Sequence, residues 1–309
     1  MAQVSQPAET AQSVDRTDCA RRSGQGSRAG SGGVVAYRRH VINVCFAGIT
    51  GWTAPPIVRA IVAADDLVLT AGVSRSAAGQ SLDGVGASST GVVHASVTEA
   101  LEAAAVDVLV DYTSATAVRD HVIAAVDAGV HVVIGTSGLT AEDYVELDQR
   151  ARGQGVGVFA AGNFSIMAAV LQRAAQMAAQ HLHSWEILDY ASDTKADVPS
   201  GTAREVAETL GQIREPRTAL PLGDVHGPVE ARGAEVAGSR VHSVRLPSFV
   251  VSTEIVFGGR GERLVMRHDP GLTPDPYVEG TLLAIRNVGG AVGVRRGLST
   301  LLFDPPTLP

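Results

Sequence analysis

From residue 41 onward the chain alternates two hydrophobic patterns. Continuous apolar runs of strand length come first: "VINVCFA" (41–47), "LVLTAGV" (67–73), "GVVHA" (91–95), "VDVLVDY" (106–112), "HVVIG" (131–135) and "VGVFAAG" (156–162). Between them lie stretches with apolar residues at helical spacing, such as "APPIVRAIVAA", "VTEALEAAA" and "TAVRDHVIAAVDAG". Pro55 and Pro56 suit the first turn of the first helix, where amide hydrogens have no helical partner. Apolar strands alternating with helices predict a parallel sheet covered on both faces.

After Asn163 the pattern changes. A long helix, "SIMAAVLQRAAQMAAQHLH", leads into the strand "SWEILDYA" and the helix "GTAREVAETLGQI". Strands of period two follow in "SRVHSVRL", "FVVSTEIVF" and "ERLVMRH", with "GGRG" as a turn between the last two. A final helix, "YVEGTLLAIRNVGG", is expected to close the chain and pack back on the first half. The predicted architecture is α/β: a parallel-sheet domain over 41–162, completed by 271–309, and an α+β domain over 163–270 built on a largely antiparallel sheet. Residues 1–40, rich in Ser, Gly, Gln and Arg without apolar periodicity, are expected to be disordered. Glu9, Asp15 and Asp18 and the lack of an amphipathic face weigh against a transit peptide there.

Composition narrows the partners. With 25 basic against 32 acidic residues and a net charge of −7, there is no global field to hold nucleic acid or an anionic membrane, and a small-molecule ligand is expected. No apolar run approaches the ~20 residues of a spanning helix. Cys19 lies in the polar tail and Cys45 in an apolar run, so no disulfide framework is expected, which suits a cytoplasmic location. The nine histidines and two cysteines show no ligand-like spacing, and no metal is expected.

The turn after the first strand is "GITGWTA", with Gly48, Gly51 and Ala54 in G-x-x-G-x-x-A spacing. Tiny residues there let the chain reverse tightly and let its backbone approach a pyrophosphate, while bare amides at the helix N-terminus face the phosphates. Its place between an apolar strand and a helix predicts a Rossmann-type dinucleotide site. The second strand ends in "GVSRS", where Ser74, Arg75 and Ser76 supply the arginine and small donors that suit a 2′-phosphate. NADPH is therefore expected, with NADH as the alternative.

Three further small-residue turns close strands at the binding edge: "DYTSATA", "GTSGLT" and "AGNFSIM". Singly each reads as a helix cap; together they suggest a ligand edge. "TKADVPSGTA" then carries Lys195, the only lysine among the 25 basic residues. These stretches, in this order and at about these separations, resemble the dihydrodipicolinate reductase family from about residue 41 to the end, and K-x-D-x-P-S-G-T is the most specific of them. The resemblance implies a nicotinamide cofactor on the first domain, a cyclic imine dicarboxylate on the second, and a homotetramer formed through the second domain's sheet. By that analogy Gly48, Thr50, Gly51 and Trp52 belong to the cofactor turn and Arg75 meets the ribose phosphate. Tyr112, Thr113, Gly135, Thr136, Asn163 and Phe164 would lie on the nicotinamide side, and Ser137, Ser200, Gly201 and Thr202 would bind the substrate. Lys195 would be the catalytic, substrate-site lysine, because an ammonium is a compact donor that can shed its proton on burial and a guanidinium is not.

The chain departs from the family pattern on the substrate side. Ala191 and Ser192 stand where the family has a His-His pair whose first member is its general acid, and "HDPGLTPDPY" brings prolines where an arginine is usual. The cofactor motifs are kept. A reductase reassigned to a related C=N or enamine substrate is therefore expected, with the lysine-pathway reaction as its close alternative and a non-catalytic NADPH sensor or scaffold as a third. Lys195, Tyr190, Asp193 and His242 are the replacement acids that the sequence offers.

Overall fold

The computed structural model describes residues 41–87 and 89–304; the tail at 1–40, with Cys19, lies outside the described residues. In chain order the first part runs β1 (Ile42–Ala47), α1 (Ala54–Ala63), β2 (Leu67–Val73), β3 (Val92–His94), α2 (Val97–Ala103), β4 (Val108–Asp111) and α3 (Val118–Asp127). It continues through β5 (His131–Ile134), α4 (Ala141–Gln154) and β6 (Gly157–Ala160). The second part runs α5 (Ile166–Ala179), β7 (Trp185–Ala191), α6 (Gly201–Gly211), β8 (Ala234–Val236), β9 (Ser239–Arg245), β10 (Val251–Gly258) and β11 (Arg263–His268). It ends in α7 (Val278–Asn287), β12 (Gly293–Arg296) and α8 (Leu298–Phe303).

The first sheet is wholly parallel, in the order β12-β6-β5-β4-β1-β2-β3. This is a Rossmann-type order, reversing direction between β1 and β4. Every residue of β4 and β6 is buried, as strands covered on both faces require. Phe46, Ile57, Ile61, Leu69 and Phe159 fill one face, and Leu109, Val122, Val132 and Leu147 fill the other. Each such side chain contributes roughly 1.5–3 kcal/mol on burial. Register pairs Ala47 with both Val73 and Asp111, so β1, β2 and β4 finish level and their exit turns gather at one edge.

The second sheet has the order β11-β10-β7-β9-β8 and is mixed, because β7 and β9 run parallel while its other pairs are antiparallel. Burial alternates along β7, with Trp185, Ile187, Asp189 and Ala191 inward. Ala175 and Ala179 of α5, with Val206 and Leu210 of α6, pack on that face.

Two expectations change. The helix at 277–290 is not the last element: β12 and α8 follow it, and β12 pairs with β6 at the edge of the first sheet. "GVRR" has one apolar residue and sits between glycines, so neither strand nor helix periodicity marks it. The long helix after Asn163 stops at Ala179, short of the predicted His183. Helix α4, "AEDYVELDQRARGQ", buries only Leu147 and Ala151, so it carries little apolar signal.

Candidate active site

The turn leaving β1 is shaped by Gly48. It has φ +85°, and a Cβ there would lie 2.2 Å from the Tyr112 carbonyl oxygen, so only glycine fits. Gly51 donates its amide to Gly48 O at 2.8 Å, and α1 starts with Pro in its first turn and no side-chain cap from Thr53. Thr50 and Ser74 share a hydrogen bond of 2.9 Å, and Ser74 and Ser76 share one of 3.1 Å. Exposed Arg75 lies between those two serines in sequence.

Asp111, fully buried at the end of β4, organises the next two turns. Its Oδ1 accepts from the Thr136 hydroxyl at 2.6 Å, from the Thr113 hydroxyl at 2.7 Å and from the Thr113 amide at 3.1 Å. Its Oδ2 lies 2.8 Å from His121 Nδ1. Thr113 is thus turned towards Asp111, and its amide donates to the Thr136 hydroxyl at 2.7 Å.

Beyond these turns opens a cleft of about 320 Å³. Trp52, Tyr112, Gly135, Thr136 and Ser137 line one side, Asn163 and Phe164 the junction after β6, and Lys195, Ser200, Gly201 and Thr202 the other side. Gly48, Thr50, Gly51, Ser74, Arg75, Ser76 and Thr113 are not among its lining residues and gather at the ends of β1, β2 and β4. The Tyr112 hydroxyl lies 2.8 Å from Thr281 Oγ1. The proton of Thr281 goes to Tyr277 O at 2.7 Å, so Tyr112 is the donor. Burial raises the Tyr112 pKa far above its usual value, which keeps the phenol neutral.

The far wall is built on a buried charge cluster. Asp189 Oδ2 accepts from the Ser200 amide at 2.9 Å, the Ser243 hydroxyl at 3.0 Å and Arg245 at 2.9 Å. Arg245 also donates to the Asp197 carbonyl at 2.8 Å. Lys195 Nζ is paired with Asp197 Oδ1 at 2.7 Å, so the lone lysine is held on its own loop. Ser200 caps α6 through Ala203 N, and the Thr202 hydroxyl donates to Gly162 O at 3.0 Å.

Several lining residues escaped the sequence reading, among them Tyr144, Glu205, Glu208, Tyr277 and Arg296. Glu205 follows Gly201 at the i, i+4 spacing that shares a helix face, the one signal that could have found it. Arg296 pairs with Glu208 at 2.8 Å and lies 4.3 Å over the Tyr144 ring. Burial raises the pKa of Tyr144 and of Tyr277. The replacement acids other than Lys195 lie elsewhere. Tyr190 stacks on Phe249 at 5.2 Å beneath Arg267, and His242 Nε2 lies 2.7 Å from Glu186, both on the sheet face opposite α5 and α6. Asp193 is exposed and outside the cleft lining.

Comparison with known proteins agrees with this fold. Residues 42–164 match the family model "Dihydrodipicolinate reductase, N-terminus" and residues 164–302 match "Dihydrodipicolinate reductase, C-terminus". The 4-hydroxy-tetrahydrodipicolinate reductase of Halalkalibacterium halodurans is 35% identical over 265 residues, 85% of this chain and 100% of that protein. The protein of the same name from Mycolicibacterium smegmatis is 35% identical over 256 residues, 82% of this chain and 96% of its own length. Among solved structures, the dipicolinate-bound dihydrodipicolinate reductase from Paenisporosarcina sp. TG-14 superposes with TM-score 0.67 at 27% identity, covering 84% of this chain and 99% of that one. An amine dehydrogenase from Mycobacterium smegmatis, 16% identical with TM-score 0.57 over 87% of this chain and 97% of that one, shares the fold. On two family matches that together span both sheets, the chain belongs to the dihydrodipicolinate reductase family of oxidoreductases.

Proposed function

We propose that the protein is an NADPH-dependent reductase of a cyclic imine carboxylate, and that its substrate is the 4-hydroxy-tetrahydrodipicolinate of its relatives' names. The observation that carries this is a single cleft with the turns of a dinucleotide fold on one side and Lys195 with the Ser200–Thr202 turn on the other. The chain fits a reduced nicotinamide dinucleotide: Gly48 leaves a cradle that a Cβ would fill, beside the open first turn of α1.

In this reading Gly48, Thr50 and Gly51 hold the pyrophosphate, while Ser74, Arg75 and Ser76 hold the 2′-phosphate that separates NADPH from NADH. Trp52, Tyr112, Thr113, Gly135, Thr136, Asn163 and Phe164 shape the nicotinamide side, with Asp111 fixing the two threonine turns. Bound there, the cofactor supplies hydride. Lys195 places one positive charge beside a substrate carboxylate, and Ser137, Ser200, Gly201 and Thr202 receive the anion at the start of α6, where the helix dipole favours it. A homotetramer through the face of the second sheet opposite α5 and α6 completes the proposal.

NADPH oxidation at 340 nm with freshly generated 4-hydroxy-tetrahydrodipicolinate, beside a panel of other cyclic imines, is the test. Turnover lost in Lys195→Ala is the expected result, and tight NADPH binding without turnover of any imine would refute it. A second reading, reduction of a related imine, is favoured by Ala191, whose buried methyl group has no proton to give. Turnover of another imine in the panel, with little on the lysine-pathway compound, would select it.

A further inference from the structure

Among the described residues, three basic side chains line the cleft: Lys195, Arg204 and Arg296. Two of them are already neutralised. Lys195 Nζ is paired with Asp197 at 2.7 Å, and Arg296 is paired with Glu208 at 2.8 Å while it lies 4.3 Å over the Tyr144 ring. Arg204, partly buried, has no ion pair among the described residues. Its one hydrogen bond among them, from Nη2 to Pro199 O, is 3.5 Å long and uses a single donor of the five on a guanidinium. The neighbouring Glu205 spends its two oxygens on the Gly162 amide and on Gln172 Nε2, so it does not supply the missing counterion.

Arg204 stands on the face of α6 that meets the cleft. It follows Ser200 at i, i+4, so one helical turn, about 5.4 Å, separates the two along the axis. Side chains of a helix lean towards its N-terminus, and the bond to Pro199 O carries the guanidinium back towards the loop between Lys195 and Ser200. At the start of the same turn, a Cβ on Gly201 would lie 3.6 Å from Ser137 Cβ and 3.7 Å from Gly162 Cα. The first turn of α6 therefore faces the cofactor-side turn directly. A ring held between them has the Ser200–Thr202 turn and an unpaired guanidinium one helical turn apart.

A cation without a counterion in a partly enclosed cleft stands there at a cost that an anionic ligand removes. Lys195 and the Ser200–Thr202 turn account for one carboxylate. Resting on the reductase reading above, we propose that Arg204 sets the specificity of the cleft for a dicarboxylate: it receives the second carboxylate of a ring that carries two, through paired N–H···O bonds from its planar fork. A ring with one carboxylate leaves the guanidinium unpaired and is bound less well. Arg296 stays with Glu208 and takes no part in this choice.

Calorimetric titration of the NADPH-bound protein with two unreactive aromatic rings tests this. One is pyridine-2,6-dicarboxylate; the other, pyridine-2-carboxylate, lacks the second carboxylate. Wild type is expected to bind the dicarboxylate at least about tenfold more tightly. Arg204→Ala should abolish that preference, weakening the dicarboxylate about tenfold and leaving the monocarboxylate and NADPH affinities as they were. Arg204→Lys should restore only part of it, because an ammonium cannot make the paired contact. A role in merely holding α6 would weaken both rings alike, and that result overturns the proposal, as does a dicarboxylate affinity untouched by Arg204→Ala. A wild type that binds the two rings equally, or binds neither, overturns it too. The reductase reading is judged apart, by NADPH oxidation with the imine panel. Wild-type turnover without an Arg204 effect sinks the proposal alone, whereas a wild type that turns over no imine sinks that reading.

Discussion

Ser200 donates its backbone amide to Asp189 Oδ2 across 2.9 Å, which anchors the start of α6 to a carboxylate buried in β7. The same oxygen takes Arg245, whose Nη2 also donates to the Asp197 carbonyl. Removing Asp189 strands the guanidinium and frees the loop that carries Lys195. Asp189→Ala should cost about 3 kcal/mol in urea unfolding and raise KM for the imine while leaving NADPH affinity unchanged. Equal stability of the two proteins would refute the anchor.

Lys195 is a point charge paired with Asp197 on its own loop. Lys195→Ala should lower kcat/KM about 100-fold. Lys195→Arg should restore little of it, because a planar fork cannot occupy the place of one ammonium beside Asp197. Full rescue by arginine would show that charge alone is needed there.

Arg75 is exposed beside the Ser74–Ser76 hydroxyl pair. Arg75→Ala should weaken NADPH about tenfold, or about 1.4 kcal/mol, with NADH unaffected. Calorimetric titration with both cofactors decides; equal losses for the two would place Arg75 away from the 2′-phosphate.

Gly48 tolerates no side chain at φ +85° with the Tyr112 carbonyl in the way. The left-handed conformation alone costs alanine about 1–2 kcal/mol, and the backbone collision adds to it. Gly48→Ala should lower Tm and abolish cofactor binding together. An alanine variant with wild-type Tm and affinity would contradict the tight turn.

Stability should depend on pH through Glu205. Burial raises its folded pKa above the unfolded value, so between the two the folded state holds a proton that the unfolded state has released. Stability is therefore lost as pH rises through that window. Wild type should lose Tm relative to Glu205→Gln as pH rises above the ordinary carboxylate range. A constant difference across that rise would exclude the raised pKa.

The first sheet was legible because its inner strands are buried on both faces and so read as unbroken apolar runs, and even partly exposed β2 is bounded at Leu67 and Val73 as the pattern predicts. The cofactor turn was legible because glycine spacing after a strand has few other causes. Lys195 stood out against a background of arginine. What remained hidden depends on tertiary position. Glu205 is one more acid on an amphipathic helix until Gly162 is seen to meet it, and β12 is an arginine-rich tetrapeptide until β6 supplies its partner. Tyr190 and His242 alternate with inward residues on β7 and β9, and which face met the cleft could not be read from period two alone.

The pairing of β12 with β6 sets an order on synthesis. A ribosome releases β6 at Gly157–Ala160 long before Gly293–Arg296 exists, so during that interval the growing sheet ends in an open strand with unpaired amides. Thr281, the acceptor of the Tyr112 hydroxyl, arrives equally late. The parallel sheet thus becomes complete only when Gly293–Arg296 leaves the exit tunnel, and a nascent chain stalled in the second sheet exposes a sheet edge that β12 later covers.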